Sequence, residues 1–160
     1  MTEMKTLIAL FLFATLAFAQ HSMHDHSADV KQHGAEAMGF DQDKTTHHFV
    51  LTKGGGYVQV EANDPKDDTN VKRIRVHLTA QAGRFSAGDF GAPEHTHGQV
   101  PPGVPTLQKL KSQIKYVFES LPRGGRLHMT SYNPKAIAAI HDFLRFQISD
   151  HHTGDPTSVQ

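Results

Sequence analysis

His48-Phe49-Val50-Leu51-Thr52-Lys53-Gly54-Gly55-Gly56-Tyr57-Val58-Gln59-Val60-Glu61-Ala62 decides the fold. Residues 48–52 alternate as a half-buried strand does, Lys53-Gly54-Gly55-Gly56 supplies a glycine turn, and residues 57–62 return with Val58, Val60 and Ala62 on one face. The run is a β-hairpin. Its glycines join two strands and open no helix, so they form a turn and not a phosphate cradle.

Asn63-Asp64-Pro65 and Asp67-Asp68-Thr69-Asn70 follow as breakers with N-cap chemistry. Val71, Ile74, Leu78, Ala82 and Phe85 then recur at helical spacing until Gly88. The plan repeats further on. Residues 114–119 alternate, Pro122-Arg123-Gly124-Gly125 turns, and residues 126–130 return with Leu127 and Met129 inward. Asn133-Pro134 caps a helix over 135–150 whose apolar stripe is Ile137, Ile140, Leu144 and Ile148. Hairpin, helix, hairpin, helix predicts an α+β fold: a four-stranded antiparallel sheet with two helices on one face. It also suggests a ββα-ββα internal duplication in which Ile74-Arg75-Val76-His77-Leu78 and Ala139-Ile140-His141-Asp142-Phe143 hold matching places. A chance likeness of two amphipathic helices is the alternative. Residues 88–105, with Asp89, Glu94 and several Pro and Gly, are too irregular in composition for regular structure and read as a functional loop; 106–112 reads as a short helix.

Upstream of the hairpin, Lys5, an apolar core over 7–18 and Ala17-Phe18-Ala19 have the three parts of an export leader. The core is too short to cross a bilayer, which takes about 20 apolar residues. The expected layout is a signal peptide over 1–19, a flexible His-rich arm over 20–38 and a single globular domain over 39–160. The mature chain would be exported, periplasmic or secreted, with no membrane span. With 16 basic and 16 acidic residues and no basic stripe, nucleic acid is not an expected partner. There is no Cys, hence no disulfide and no thiol nucleophile. The composition is unusual in its 13 His, all after residue 19.

Neutral imidazole ligates copper, zinc and nickel, and thioether favours Cu(I). His21-x-x-His24-x-His26, with Met23 inside it, is the strongest such signal; the bland alternative is a solvated low-complexity tail. His47-His48 enters a strand, so the two rings point to opposite faces and one ligand at most is expected. His95-x-His97 in extended backbone shares a face and could hold one ion, with Asp89 or Glu94 completing the set. His77 and His141 read as core histidines that could meet across a twofold axis. His128 reads as exposed, and His151-His152 as cations favourable at a helix C-terminus. There is no Cys-x-x-Cys-His for covalent haem, no His-Glu-x-x-His, no Walker loop and no Gly-x-Ser-x-Gly elbow.

The runs Met38-Gly39-Phe40-Asp41-Gln42-Asp43-Lys44-Thr45-Thr46-His47-His48-Phe49, Pro101-Pro102-Gly103-Val104-Pro105 and Phe143-Leu144-Arg145-Phe146-Gln147-Ile148-Ser149-Asp150-His151-His152-Thr153-Gly154-Asp155 resemble a family of small exported bacterial proteins without an established function. The likeness spans about residues 38–156. Some members carry the automatic label aspartate carbamoyltransferase. That activity is not carried over, because the chain is too short for the two-domain transferase and lacks its Ser-Thr-Arg-Thr run.

Three functions remain on the sequence. The favoured one is an exported protein that sequesters or handles transition-metal ions, copper first and zinc second, with ligands among His21, Met23, His24, His26, His47, His48, His95 and His97. The second is a small periplasmic enzyme whose active site lies under 88–105, with His95 or His97 as general base oriented by Asp89 or Glu94. The third is an envelope interaction module, with a protein partner and an incidental His-rich tail.

Overall fold

A computed structural model describes residues 30, 32–34 and 38–160. Strands β1 (Thr45–Thr52) and β2 (Gly55–Ala62) form the first hairpin, followed by helix α1 (Asp68–Ala87). Two short helices, α2 (Gly91–His97) and α3 (Val104–Lys109), lead to β3 (Ile114–Leu121), β4 (Gly124–Ser131) and α4 (Pro134–Asp150). The sheet is antiparallel throughout, in the order β1-β2-β4-β3. The expected α+β architecture is present.

Local chemistry explains the elements. Asp67 caps α1 by accepting from Asn70 N–H, and Gly88 ends it in the left-handed conformation. Asn133 accepts from Lys135 N–H ahead of Pro134 in the first turn of α4. Both hairpin turns are tighter than their glycines suggest, two residues each, Lys53-Gly54 and Pro122-Arg123; the following glycines belong to β2 and β4. The stripe of α4 is Ala136, Ala139, Ile140, Phe143, Leu144 and Ile148, so Ile137 lies at its margin and Phe143 in its centre.

Residues 88–105 are not the loop their composition suggests. Asp89 Oδ1 accepts from Gly91 N–H at 2.9 Å, Pro93 sits in the first turn where its missing N–H costs nothing, and Gly98 closes α2 in the left-handed conformation.

The duplication is visible in the register. Thr45 to Ile114 and Gly55 to Gly124, the starts of corresponding strands, are the same step of 69 positions. The central β2–β4 ladder obeys that step: Gly55 faces Thr130 as Gly124 faces Glu61, and Val58 faces Leu127, its own counterpart. A twofold axis therefore passes between Val58 and Leu127. The helices follow from their N-caps, Asp67 and Asn133, which pairs Ile74 with Ile140, Leu78 with Leu144 and Gln81 with Gln147. Each helix packs on the hairpin it does not follow, α1 on β3 and β4, α4 on β1 and β2. Crossing in this way encloses one apolar core containing Phe49, Leu51, Val60, Ile74, Leu127, Met129, Ile140 and Leu144.

The helix alignment corrects the expected match of residues 74–78 with 139–143 by one residue, since Ile74 pairs with Ile140. His141 corresponds to Arg75, and both secure the opposite hairpin: Arg75 Nη2–H donates to Leu121 O at 2.7 Å, and His141 Nε2–H donates to Thr52 O at 2.9 Å. Thr52 and Leu121 are themselves one repeat step apart. The ring of His77 meets Phe40, whereas that of His141 meets Thr52 O.

Candidate functional site

Between the sheet and the two long helices, beneath α2, lies a cavity of about 80 Å³. Its walls are mostly apolar, with Phe49, Val58, Leu78, Phe85, Leu127 and Phe143 among them. Four imidazoles, His47, His77, His97 and His151, also line it, together with the amides of Gln81 and Gln147 and the thioether of Met38.

Strand alternation turns His47 to the core and His48 to the other face, as expected, where His48 Nδ1 meets Asp155 Oδ1 at 2.9 Å. The His47 ring stacks between Phe40 (5.9 Å between ring centres) and His151 (6.2 Å). His151 in turn meets His97 edge-on at 5.0 Å. The rings of His47, His151 and His97 thus form a chain along one wall. His77 stands apart, edge-on to Phe40 at 5.6 Å.

Because 91–97 is a helix, the expected pairing of His95 with His97 on one face fails: residues two apart on a helix point to opposite sides. His97 is buried, whereas His95 is exposed and lies against the His33 ring at 5.1 Å. His97 Nδ1–H donates to Asp150 Oδ2, and its Nε2 lies 3.0 Å from the Gln147 amide. Asp150 and Gln147, not Asp89 or Glu94, are the partners of this ring; Asp89 accepts from Gly91 N–H instead. Gln147 meets Nε2 through its amide oxygen or, turned over, through its NH₂.

Burial is the main cause of depressed basicity in the cluster. It lowers His47 to about 3, helped by the neighbouring His151, His77 and His48 rings. It lowers His77 to about 4, with Arg84 adding to the effect, and His151 to about 4, with His97 adding to it. At neutral pH these three rings are uncharged and their nitrogens can accept or ligate. The reading of His151 as a cation favourable to a helix dipole is therefore overturned: it caps α4 by its backbone, and its ring turns into the cavity. Several polar atoms here have no partner: His47 Nε2, Gln81 Oε1 and Gln147 Nε2 are buried and unpaired. Leaving such a group unpaired costs about 1–3 kcal/mol.

The twofold axis shows that the fold does not demand this chemistry. The strand step carries His47 to Tyr116, and the helix alignment pairs His151 with Phe85. In the other half of the molecule Tyr116 and Phe85 make the matching ring contact at 5.9 Å, continued by Phe90 stacked on Phe85 at 4.4 Å. One half closes its core with phenol and phenyl groups, and the other places imidazoles in the same positions.

Of the residues singled out in the sequence, His47 and His97 come together on one cavity, and His48 and His95 lie outside it. His21, Met23, His24 and His26 fall outside the described residues. His128 is half-buried and meets Glu119 Oε2 at 2.7 Å. His77 and His151 are the members that pattern reading passed over. Their signal is His77 with Gln81, and Gln147 with His151, polar pairs four apart on the buried sides of two amphipathic helices. Among the described residues no three His, Asp or Glu side chains already converge on one point as a metal centre would require. The chain matches no family model, no curated protein and no solved structure.

Proposed function

We propose that this is an exported protein that binds transition-metal ions, copper first and zinc second, and that His47, His97 and His151 at the cavity are its domain site. The carrying observation is the presence of imidazole on one side of the twofold axis where Tyr and Phe stand on the other, with His47 Nε2, like the Tyr116 hydroxyl at the matching place, buried and unpaired. Neutral imidazole is the ligating form, and burial keeps His47 and His151 in it. Asp150 on His97 Nδ1 is the kind of carboxylate partner that fixes a ligating ring's tautomer. Met38 adds a thioether, the donor that inclines the site to Cu(I). Size argues the same way. About 80 Å³ accommodates an ion and a few waters, whereas organic ligands and cofactors occupy about 300–1,000 Å³.

Binding an ion here requires the rings to turn, since their centres stand 5.0 and 6.2 Å apart and no three such groups converge as they stand among the described residues. The arm fits as the capturing segment: Val30, four positions after His26, is buried in an outer groove that also bears His47, His48, His151 and His152. Titration of the mature chain with Cu(I) and Zn(II) tests the proposal. Replacing His21, His24 and His26 by Ala should leave one ion bound per domain, and His47→Ala with His151→Ala should abolish that one. Loss of all binding with the arm substitutions alone contradicts a domain site.

One observation favours a second reading, a small periplasmic enzyme: the Asp150–His97 pair, a buried imidazole oriented by a carboxylate, has the form of a general base. That reading requires turnover that His97→Ala removes while the fold survives.

A further inference from the structure

The two edges of the sheet are equivalent by the internal repeat but differ in what covers them. At β1 the chain covers its own edge: Phe49 N–H donates to Asp155 Oδ2 at 3.0 Å, and Gln160 N–H donates to Leu51 O at 2.9 Å. The step that carries Phe49 to Phe118 makes Tyr116, Phe118 and Ser120 the residues of β3 whose main-chain groups point outward. Among the described residues nothing bonds to them on that side. Lys115, Val117 and Glu119 are exposed, and Val117 keeps 53% of its surface in solvent. An open edge of this length is a template for another strand.

We propose that β3 pairs antiparallel with β3 of a second copy of this chain, about a twofold axis at Val117. Only pairings that oppose outward-pointing residues to one another can form the ladder, and those overlapping at least half of β3 are centred on Tyr116, Val117, Phe118 or Glu119, the last of which sets Glu119 against itself. Centred on Val117, the register bonds Tyr116 to Phe118 of the second copy and sets Val117 on Val117 in the close, non-hydrogen-bonded position. It also sets Lys115 opposite Glu119 twice. Centring on Tyr116 or Phe118 would set each charge against an apolar or unmatched neighbour. Glu119 is already held by Arg126 and His128 through Oε2, which leaves Oε1 for the lysine. Cross-strand pairs of opposite charge and of β-branched residues are those that stabilise sheets. The result is a continuous eight-stranded sheet with both imidazole cavities in its outer halves, so the pairing stands independently of metal binding.

Light scattering on the full mature chain should give the mass of a dimer. The absence of Cys makes register directly readable. Val117→Cys should oxidise to a covalent dimer in high yield, and Lys115→Cys, offset by four residues from its own counterpart, should not. Lys115→Glu should weaken association at least tenfold, and Lys115→Glu with Glu119→Lys should restore it. A monomer at all concentrations, equal cross-linking at 115 and 117, or a dimer indifferent to the charge pair would each overturn the proposal. Should Lys115→Glu fail to fold, the cross-linking pattern decides.

Discussion

His47 and His151 are the residues on which the functional reading turns, because their counterparts Tyr116 and Phe85 fill the same positions with a phenol and a phenyl group. Copying one half onto the other, His47→Tyr with His151→Phe, should therefore leave the fold intact. It should narrow the stability difference between pH 7.5 and 5.5 by about 2 kcal/mol, since two rings that resist protonation are removed. Denaturant unfolding at the two pH values measures this, and an unfolded variant would show that the halves are not interchangeable. In the sequence the inward turn of His47 was legible from strand alternation alone. The role of His97 was half legible: it was a candidate base, but its partner Asp150 lies 53 positions on, and no local spacing reveals such a pair. His151 was misread because its place after a helix has a sufficient local explanation in the dipole, whereas its ring answers to tertiary burial.

Among the elements, the hairpins and long helices were readable because alternation and a 3.6-residue period are written directly in apolar spacing. Helix α2 was not, since its Gly91, Pro93 and Gly98 are breakers inside a helix but suitable at its first turn and C-cap. The glycines opening β2 and β4 carry a different constraint. A Cβ on Gly55 would overlap the Met129 carbonyl oxygen, and one on Gly124 the Val60 carbonyl oxygen, contacts that the repeat step interconverts. The central ladder is thus spaced for glycine at both ends. Gly55→Ala and Gly124→Ala should each destabilise by about 2–4 kcal/mol, the scale of backbone displacement in a packed core. Gly54→Ala, with open space around it, should cost less than 1 kcal/mol. Urea denaturation of the three variants checks the contrast, and equal losses at 54 and 124 would contradict it.

For the whole molecule, acid is the condition that exposes the design. Unfolded imidazoles take up protons near pH 6.5, whereas His77 and His151 resist until about 4 and His47 until about 3. Between those limits the unfolded chain binds more protons, so stability falls as the pH drops through that window and is level above about 7. The slope is at most about 1.4 kcal/mol per pH unit for each ring kept neutral, and less in practice because each ring keeps an edge at the surface. Thermal melts from pH 7.5 to 4.5 should show the decline, and a bound ion should delay it by competing with protons for the same nitrogens. A flat profile would mean that the cluster opens to water freely. The duplication was partly legible at this scale: hairpin and helix recurred in order, but the match of 74–78 with 139–143 was out by one residue because the true frame is set by the N-caps, which align Gln81 with Gln147.

The most direct test of the imidazole cluster as a metal site is anomalous X-ray diffraction from crystals grown with Cu(I) or Zn(II). The account predicts a single domain peak about 2.0–2.1 Å from ring nitrogens of His47 and His151, with His97 beside it. A cavity without a peak, in crystals whose metal sits elsewhere on the chain, would contradict it.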